Sequence, residues 1–392
     1  MRILKVHNKY KFRGGEDLSC EAEVRLLAEF GHEVGNYTSD NKVVNSSNLI
    51  STGLKTIWSN ESYRAIRKIL SRKNYDVMNC HNTFPLISPS AYYAARAEKV
   101  PVLQTLHNYR LLCPNAQFFR ESNVCENCLG KQFAYPGIVH ACYRGSRVGS
   151  ATVATMLLVH RLLKTYQEQV DVFVALTEFA RRKYIEGGLP AEKIVVKPNF
   201  ISPDPQPGAG NGNYAVFVGR LSEEKGLRTL LEAWKTLGAR LPLKIVGEGP
   251  LREEILQAAE SDIGIEYLGP KSTNDIYEII GAANALIFPS QWYEGLPRVI
   301  IEAFAKGTPV IASNIGSMQD LIEHERTGLH FVPGDAEDLR RQVERIFENP
   351  QKWRRMRCEA RREYEEKYTA EKNYQMLIGI YERAIAQAAA KN

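Results

Sequence analysis

This chain of 392 residues contains no apolar run able to cross a bilayer. Its most hydrophobic stretch, Val153–Val159, is seven residues long, against the roughly 20 that a spanning helix needs. No secretory signal is visible: the strand-like run Ile3–Val6 follows Arg2 and soon meets further charges, so the expected location is the cytoplasm. No Asp-x-Asp occurs, so a catalytic Mg²⁺ or Mn²⁺ held by such a pair is unsupported. No Gly-x-Gly-x-x-Gly is complete. The nearest segment, Gly247-Glu-Gly249-Pro-Leu-Arg252, lacks the third glycine, which argues against dinucleotide-dependent hydride transfer. Biased tracts, internal repeats and nucleic-acid motifs are also missing. The Lys and Arg are scattered, so no nucleic-acid partner is expected.

What is present is a globular composition, 44% hydrophobic and 24% charged, on a length that suits two ordinary domains. The net charge of +6 is unevenly spread. Residues 1–200 hold 27 Lys and Arg against 17 Asp and Glu, and the remainder holds 24 against 28. A basic first half suits an anionic acceptor or an anionic membrane surface, but equally a solvated basic face. The seven cysteines are an odd number in a chain expected to be cytoplasmic, so a disulfide framework is not expected.

Short apolar runs alternate with amphipathic segments, which predicts α/β architecture with parallel sheets. The strand candidates of the first half are Ile3–His7, Glu33–Tyr37, Asp76–His81, Val102–His107, Val172–Leu176 and Ile194–Lys197. Helical patterns such as Asp17–Phe30 and Glu61–Ser71 lie between them. Residues 198–213 hold four prolines and three glycines, a composition that reads as a flexible linker. A second series follows: Ala215–Val218, Leu243–Val246, Ile265–Leu268, Ala285–Phe288, Pro309–Ala312 and Leu329–Val332. The chain ends in a helical run from Ala336 to Ala389, broken near Asn349–Pro350. The expectation is two Rossmann-like, doubly wound domains facing across a cleft that holds the active site.

Two segments carry chemistry. In Phe288-Pro-Ser-Gln-Trp-Tyr-Glu294-Gly295-Leu296-Pro297-Arg-Val-Ile-Ile-Glu302, a strand ends and a helix is expected to open at Pro297. Backbone N–H groups of Gly295 and Leu296 would then form an anion site at a positive helix end. Glu302 has apolar neighbours almost all round, so it calls for a partner, and a ribose diol suits it. Glu294 is placed to accept bonds from a sugar ring. In Val216-Phe-Val-Gly219-Arg220-Leu-Ser-Glu-Glu-Lys225-Gly226, a strand runs through a loop into a helix. Arg220 and Lys225 lie where two cations can clamp a diphosphate and stabilise charge on a departing nucleoside diphosphate. Taken singly, each of these residues is more often a surface charge; the argument rests on their combination.

The spacing of the two segments, Gly219–Gly226 and Glu294-x7-Glu302, resembles glycosyltransferase family 4, the retaining group with the GT-B fold. The resemblance extends over nearly the whole chain and is strongest from 195 to 335. It implies that Glu294 contacts the donor sugar, Glu302 the ribose, and Arg220 and Lys225 the diphosphate of a UDP- or GDP-sugar. It further implies that Arg13-Gly14-Gly15 is the glycine loop approaching the phosphates and the acceptor, and that His107 stands beside the transferred sugar. It departs at Asn108, where the family often has Asp, and at Pro198-Asn199-Phe-Ile, where Gly-Val-Asp usually follows. The implied domains are 1–200 for the acceptor, with an insert at 109–147, 201–368 for the nucleotide sugar, and 369–392 as a helix crossing back to the first domain.

The insert holds Cys113, Cys125, Cys128 and Cys142. Four thiolates suit a closed structural zinc site in a loop otherwise too irregular to hold itself. Free or redox thiols and an iron–sulfur cluster are the alternatives. Some bacterial glycosyltransferases that the chain resembles carry a similar insert after the active-site His, on the acceptor side. The segment Val148–Lys164 reads as a buried core helix or as a membrane-surface helix.

The expectation is therefore a retaining glycosyltransferase moving a hexose from a nucleotide sugar to a hydroxyl acceptor. That acceptor is a glycan, a lipid-linked saccharide or a metabolite, in the setting of cell-surface polysaccharide synthesis at the inner face of the membrane. A nucleotide-sugar epimerase and a non-catalytic, zinc-organised sugar-nucleotide scaffold are the alternatives.

Overall fold

A computed structural model describes residues 1–11, 14–44, 49–261 and 263–390. The chain divides into two compact units. The first holds Met1–Phe118, Cys125–Asn199 and the chain from Asn373; the second holds Phe119–Val124 and Phe200–Lys372.

The first unit is built on β1 (Arg2–Lys9), β2 (Glu33–Asp40), β3 (Val77–Asn82), β4 (Val102–Leu106), β5 (Val172–Ala175) and β6 (Ile194–Val196). All pairs are parallel, in the order β2-β1-β3-β4-β5-β6. The central strands β3, β4 and β5 are buried at every position, as parallel strands covered on both faces must be. The helix Ala370–Ala389 belongs to this unit. Its Leu377, Tyr381 and Ala384 complete a core with Ile3, Leu27, Val77, Leu103 and Val172.

The second unit is built on β7 (Ala215–Val218), β8 (Leu243–Val246), β9 (Ile265–Gly269), β10 (Ala285–Phe288), β11 (Val310–Ser313) and β12 (Gly328–Phe331). Its order is β9-β8-β7-β10-β11-β12, again all parallel. The amphipathic helix Leu227–Leu237 covers one face with Leu230, Ala233 and Trp234, and the Trp234 indole donates to the Leu241 carbonyl at 2.7 Å. Helix starts are fixed locally: Ser272 and Asp335 accept from the backbone N–H three residues on, and Asn349 does so ahead of Pro350.

All twelve expected strands are present, in two doubly wound sheets. The flexible linker is not. Residues 200–213 are packed against the helix Pro350–Lys367: Arg361 forms a bidentate pair with Asp204, at 2.6 and 2.9 Å, and Arg357 donates to the Gly208 carbonyl at 2.6 Å. The Pro and Gly content here serves close packing. A Cβ on Gly208 would come within 2.3 Å of the Gly281 backbone, and one on Gly210 within 2.7 Å of the Arg357 guanidinium.

Each sheet has one point where the strand order reverses, and ligands of such sheets bind beyond the strand ends there. In the second unit it lies between β7 and β10, in the first between β1 and β3. The loops leaving these strands carry Arg220, Lys225, Glu294, Gly14 and Gly15.

Candidate functional site

In the second unit the β7 and β10 loops are joined backbone to backbone. Gln291 N–H donates to the Glu224 carbonyl at 2.9 Å. Gly226 has φ +71°, and a Cβ there would stand 1.8 Å from the Pro289 carbonyl oxygen, so only glycine permits this approach. The joining brings Lys225 and Glu294 into contact. The Lys225 ammonium donates to Glu294 Oε1 at 2.6 Å, and the same oxygen accepts from Ser290 Oγ and Trp292 Nε1, each at 2.7 Å. The ammonium also lies 5.5 Å from the Trp292 ring centroid and 5.6 Å from that of Phe288. Lys225 is thus paired with the carboxylate as well as placed near the expected diphosphate position. The pairing neutralises Glu294, which removes its repulsion towards a phosphate.

Arg220 follows β7 with an exposed side chain. Its loop leans on the β8 loop: Leu221 N–H donates to the Glu248 carbonyl at 2.9 Å, and a Cβ on Gly247 would meet the Gly219 carbonyl oxygen at 1.8 Å. The incomplete glycine motif therefore serves loop packing.

The β10 loop continues through Gly295 and the buried Leu296 to Pro297, which caps the helix Arg298–Ala305 without a side-chain hydrogen bond. The helix opens one residue later than expected. Ile300, Ile301, Ala303, Phe304 and Ala305 are buried, and burial raises the Glu302 carboxyl above its ordinary range. Its cation is Arg298, one turn earlier, at 3.7 Å, too far for a hydrogen bond. The buried Arg298 Nη1 has no hydrogen-bond partner among the described residues. Arg298, Ser290 and Trp292 are site residues that the motif reading passed over. Only Arg298 has a sequence signal, its i,i+4 spacing to Glu302.

In the first unit, Gly14 caps the helix Gly15–Glu29, its N–H donating to Asp17 Oδ2 at 2.9 Å. Gly14 is extended, and a Cβ there would meet nothing nearer than 4.0 Å, so neither conformation nor packing requires glycine. Arg13 lies outside the described residues. Glu16 is held by the Tyr10 hydroxyl at 2.7 Å and the Asn108 amide at 3.3 Å. Burial pushes its carboxyl up to about 7, against the opposing bond from Tyr10. The Asn108 contact joins the glycine loop to the strand end that carries His107.

His107 follows β4, half-buried, with its Nε2 2.8 Å from His81 Nδ1 and its pKa held well below the ordinary value by burial and then by His81. Behind it lies an enclosed ionic cluster. Lys5 and Lys197 contact the two oxygens of Glu23 at 2.6 and 2.8 Å, Lys5 also donates to Asn79 at 2.5 Å, and His81 Nε2 lies 3.1 Å from Glu23. Sequence reading saw only the exposed end of this chain.

The structure lends the zinc reading of the insert no support. Among the described residues, no three His, Cys, Asp or Glu side chains gather in a way that can hold a metal ion, and Cys113, Cys125, Cys128 and Cys142 do not form a site. Burial, and next the Cys113 thiol, push the Cys128 thiol up to about 11. The premise of an unsupported loop also fails. Cys128 and Ala134 pack with Val153, Ala154, Met156 and Leu157 of the helix Arg147–Leu162. The Arg110 guanidinium stacks on Phe84 at 4.5 Å and on Tyr143 at 5.2 Å. The same helix buries one side in the core, and no helix among the described residues is long and apolar enough to cross a membrane.

Two family models match. "Glycosyltransferase Family 4" covers residues 14–205 and "Glycosyl transferases group 1" covers 202–363. Together with two parallel sheets, they give the domain pair and fold of a GT-B glycosyltransferase. An uncharacterized glycosyltransferase of Haemophilus influenzae is 30% identical over 197 residues, 49% of this chain and 56% of that protein. The amylovoran biosynthesis glycosyltransferase AmsK of Erwinia amylovora is 28% identical over 231 residues, 55% and 57%. The chain thus spans about half the length of the curated relatives it matches. Anabaena Alr3699/HepE, solved with UDP and glucose, superposes with a TM-score of 0.70 at 16% identity, over 97% of this chain and 98% of that one.

Proposed function

We propose that the protein is a retaining glycosyltransferase that moves a sugar from a UDP- or GDP-sugar to a hydroxyl acceptor in cell-surface glycan synthesis at the cytoplasmic face of the membrane. The observation that carries the reading is the Lys225–Glu294 pair, formed where the second sheet reverses its order, in the loop that leads to Glu302. Glu294 Oε1 is saturated by Lys225, Ser290 and Trp292, so the carboxylate is held in one orientation for a sugar hydroxyl. Arg220, Lys225 and the uncapped start of the helix at Gly295–Leu296 take the diphosphate, and Glu302 takes the ribose hydroxyls. From the first unit, Gly14 and Gly15 approach the phosphates and His107 the transferred sugar. The neighbour that binds UDP and glucose supports a nucleotide-sugar donor, and AmsK supports a polysaccharide product.

The test combines two readouts on the full chain: the melting shift with UDP and GDP, and slow hydrolysis of their sugars. Either nucleotide should raise the melting temperature, and Glu294→Gln should keep that shift while abolishing turnover. Conversion of the donor sugar to its epimer, with no transfer or hydrolysis, would favour an epimerase. A nucleotide shift with no turnover in the unmodified protein would favour a binding protein.

A further inference from the structure

The first unit contains a cavity of about 390 Å³, within the range of small-ligand sites. It lies between the helices Leu49–Ile57 and Arg147–Leu162, and Phe84 and Tyr143 stand in its wall. Those two rings meet edge to face at 5.7 Å and are pinned from behind by the enclosed Arg110 guanidinium. Three of its fifteen lining residues, Tyr143, Arg144 and Ser146, belong to the insert. Its only charged lining residues among those described are two cations, Lys11 and Arg144, with no carboxylate. Its mouth is apolar and open to solvent. Val148 lines it and is 79% exposed, while Leu54 and Val43, 66% and 61% exposed, adjoin the lining residues Gly53 and Val44. Exposed valine and leucine beside an apolar cavity have no use in a site for a free sugar, and two cations have none in a site for a neutral hydrocarbon. A long apolar chain bearing phosphate uses both. Lys11 stands two residues beyond β1 and three before Gly14, so the cavity opens at the same end of the sheet as His107.

We infer that this cavity takes the acceptor, and that the acceptor hydroxyl is carried on a lipid phosphate: the hydrocarbon chain lies between the two helices and against Phe84 and Tyr143, and the phosphate meets Lys11 and Arg144. The inference rests on the glycosyltransferase reading, which it sharpens by naming the acceptor class. It also gives the end of the insert, at Tyr143, Arg144 and Ser146, a role as part of the wall of the acceptor site.

The test is calorimetric titration of the full chain, held in saturating UDP so that diphosphate binding at the donor site is silent. The probes are farnesyl diphosphate, farnesol, inorganic diphosphate and phosphatidylglycerol vesicles. Farnesyl diphosphate should saturate a single site, with farnesol and inorganic diphosphate each about tenfold weaker or more, since each keeps half of the interactions. Thr152→Trp, which fills the cavity, and the pair Lys11→Glu with Arg144→Glu should each weaken farnesyl diphosphate by about tenfold, with the UDP melting shift retained as the control for folding. Val148→Asp alters only an exposed side chain and should do the same, which keeps the test decisive if the filled cavity unfolds the protein. Equal binding of inorganic and farnesyl diphosphate would overturn the inference. So would unchanged binding in Val148→Asp and the charge-reversed pair, or vesicle adsorption that all variants share without saturation by farnesyl diphosphate. Absence of any melting shift with UDP or GDP in the unmodified chain would sink the glycosyltransferase reading instead.

Discussion

The two units each hold a group of charges, and the groups are built in opposite ways. In the first unit Lys5, Glu23 and Lys197 are almost wholly enclosed, and each oxygen of Glu23 faces an ammonium. In the second, Lys225 and Glu294 also touch, but Lys225 keeps 19% of its side chain in contact with solvent and Arg220 beside it is exposed. An enclosed pair must be complete within the fold, because no solvent compensates a missing partner. A pair at the surface of a loop can exchange a partner for a ligand at little cost. The contrast separates charges that hold the sheet from charges that the proposed function assigns to the donor.

The sharpest way to break this comparison is to remove the centre of the enclosed cluster. Glu23→Gln leaves Lys5 and Lys197 charged and facing an amide, which should destabilise the protein by about 3–5 kcal/mol. Denaturant unfolding followed by circular dichroism measures it. A loss below about 1 kcal/mol would mean that water reaches the cluster and that the two units do not differ in kind.

The surface pair should respond in activity instead. Glu294→Gln keeps the shape and the bonds from Ser290 and Trp292 but releases Lys225, and turnover should fall by about 10²–10³-fold, the scale for one preorganised polar group. Unfolding free energy should change by less than for Glu23→Gln, because Lys225 keeps solvent contact although Glu294 is buried. A large stability loss with modest kinetic change would reverse the assignment.

Acidification sharpens the same distinction. His81 faces Lys5, Glu23, His7 and His107, and burial, then Lys5, lower its pKa from the ordinary 6.5 to about 4. The unfolded chain therefore binds a proton that the folded chain refuses between those two values, so stability rises with pH across the window and is lost as pH falls through it. The shift corresponds to about 3 kcal/mol. Glu23, whose carboxyl the lysines hold well below its ordinary range against the cost of burial, adds to the loss only below about pH 4.3. His81→Asn should reduce the slope of the unfolding free energy between pH 4 and 6.5, leaving the part that His107, also lowered by burial, supplies. An unchanged slope would place the titrating group elsewhere.

How much of this was legible in the sequence differs between the same two regions. The donor loops were readable because their residues lie close together along the chain: Gly219 to Gly226, and Glu294 to Glu302. Most of the strands were readable because parallel strands buried on both faces leave continuous apolar runs; the edge strand β2 is buried at no position and left a weaker signal. The enclosed cluster was not, since Lys5, Glu23, His81 and Lys197 come from two strands, a helix and a strand end, and only the tertiary fold joins them. One sign was present: Lys5 interrupts the apolar run Ile3–Val6, and a charge inside a central strand needs a partner. The insert is the converse case. Four cysteines within thirty residues suggested a metal, whereas Cys128 acts as a small apolar side chain packed on the helix Arg147–Leu162. The linker misled because Pro and Gly serve close packing as readily as flexibility.

The smallest expected effect concerns Glu302, which lies between the two regimes. It is largely enclosed, like Glu23, yet its cation is 3.7 Å away and its carboxyl is pushed upward by burial, the opposite of Glu23. An incomplete pair of this kind is what a ligand can finish: a ribose diol donating to the carboxylate supplies the bonds that Arg298 does not. Glu302→Ala should therefore weaken the bound nucleoside diphosphate by about tenfold, one to two hydrogen bonds to a charged group. The 2′-deoxy form of the same nucleotide should lose less, because it has already lost one of those bonds. Titration calorimetry of both nucleotides with both proteins closes the cycle, and the difference isolates the ribose contact from any general damage to the helix. If both nucleotides weakened equally, Glu302 would be a partner of Arg298 alone, and the second unit would hold a structural charge of the same kind as the first.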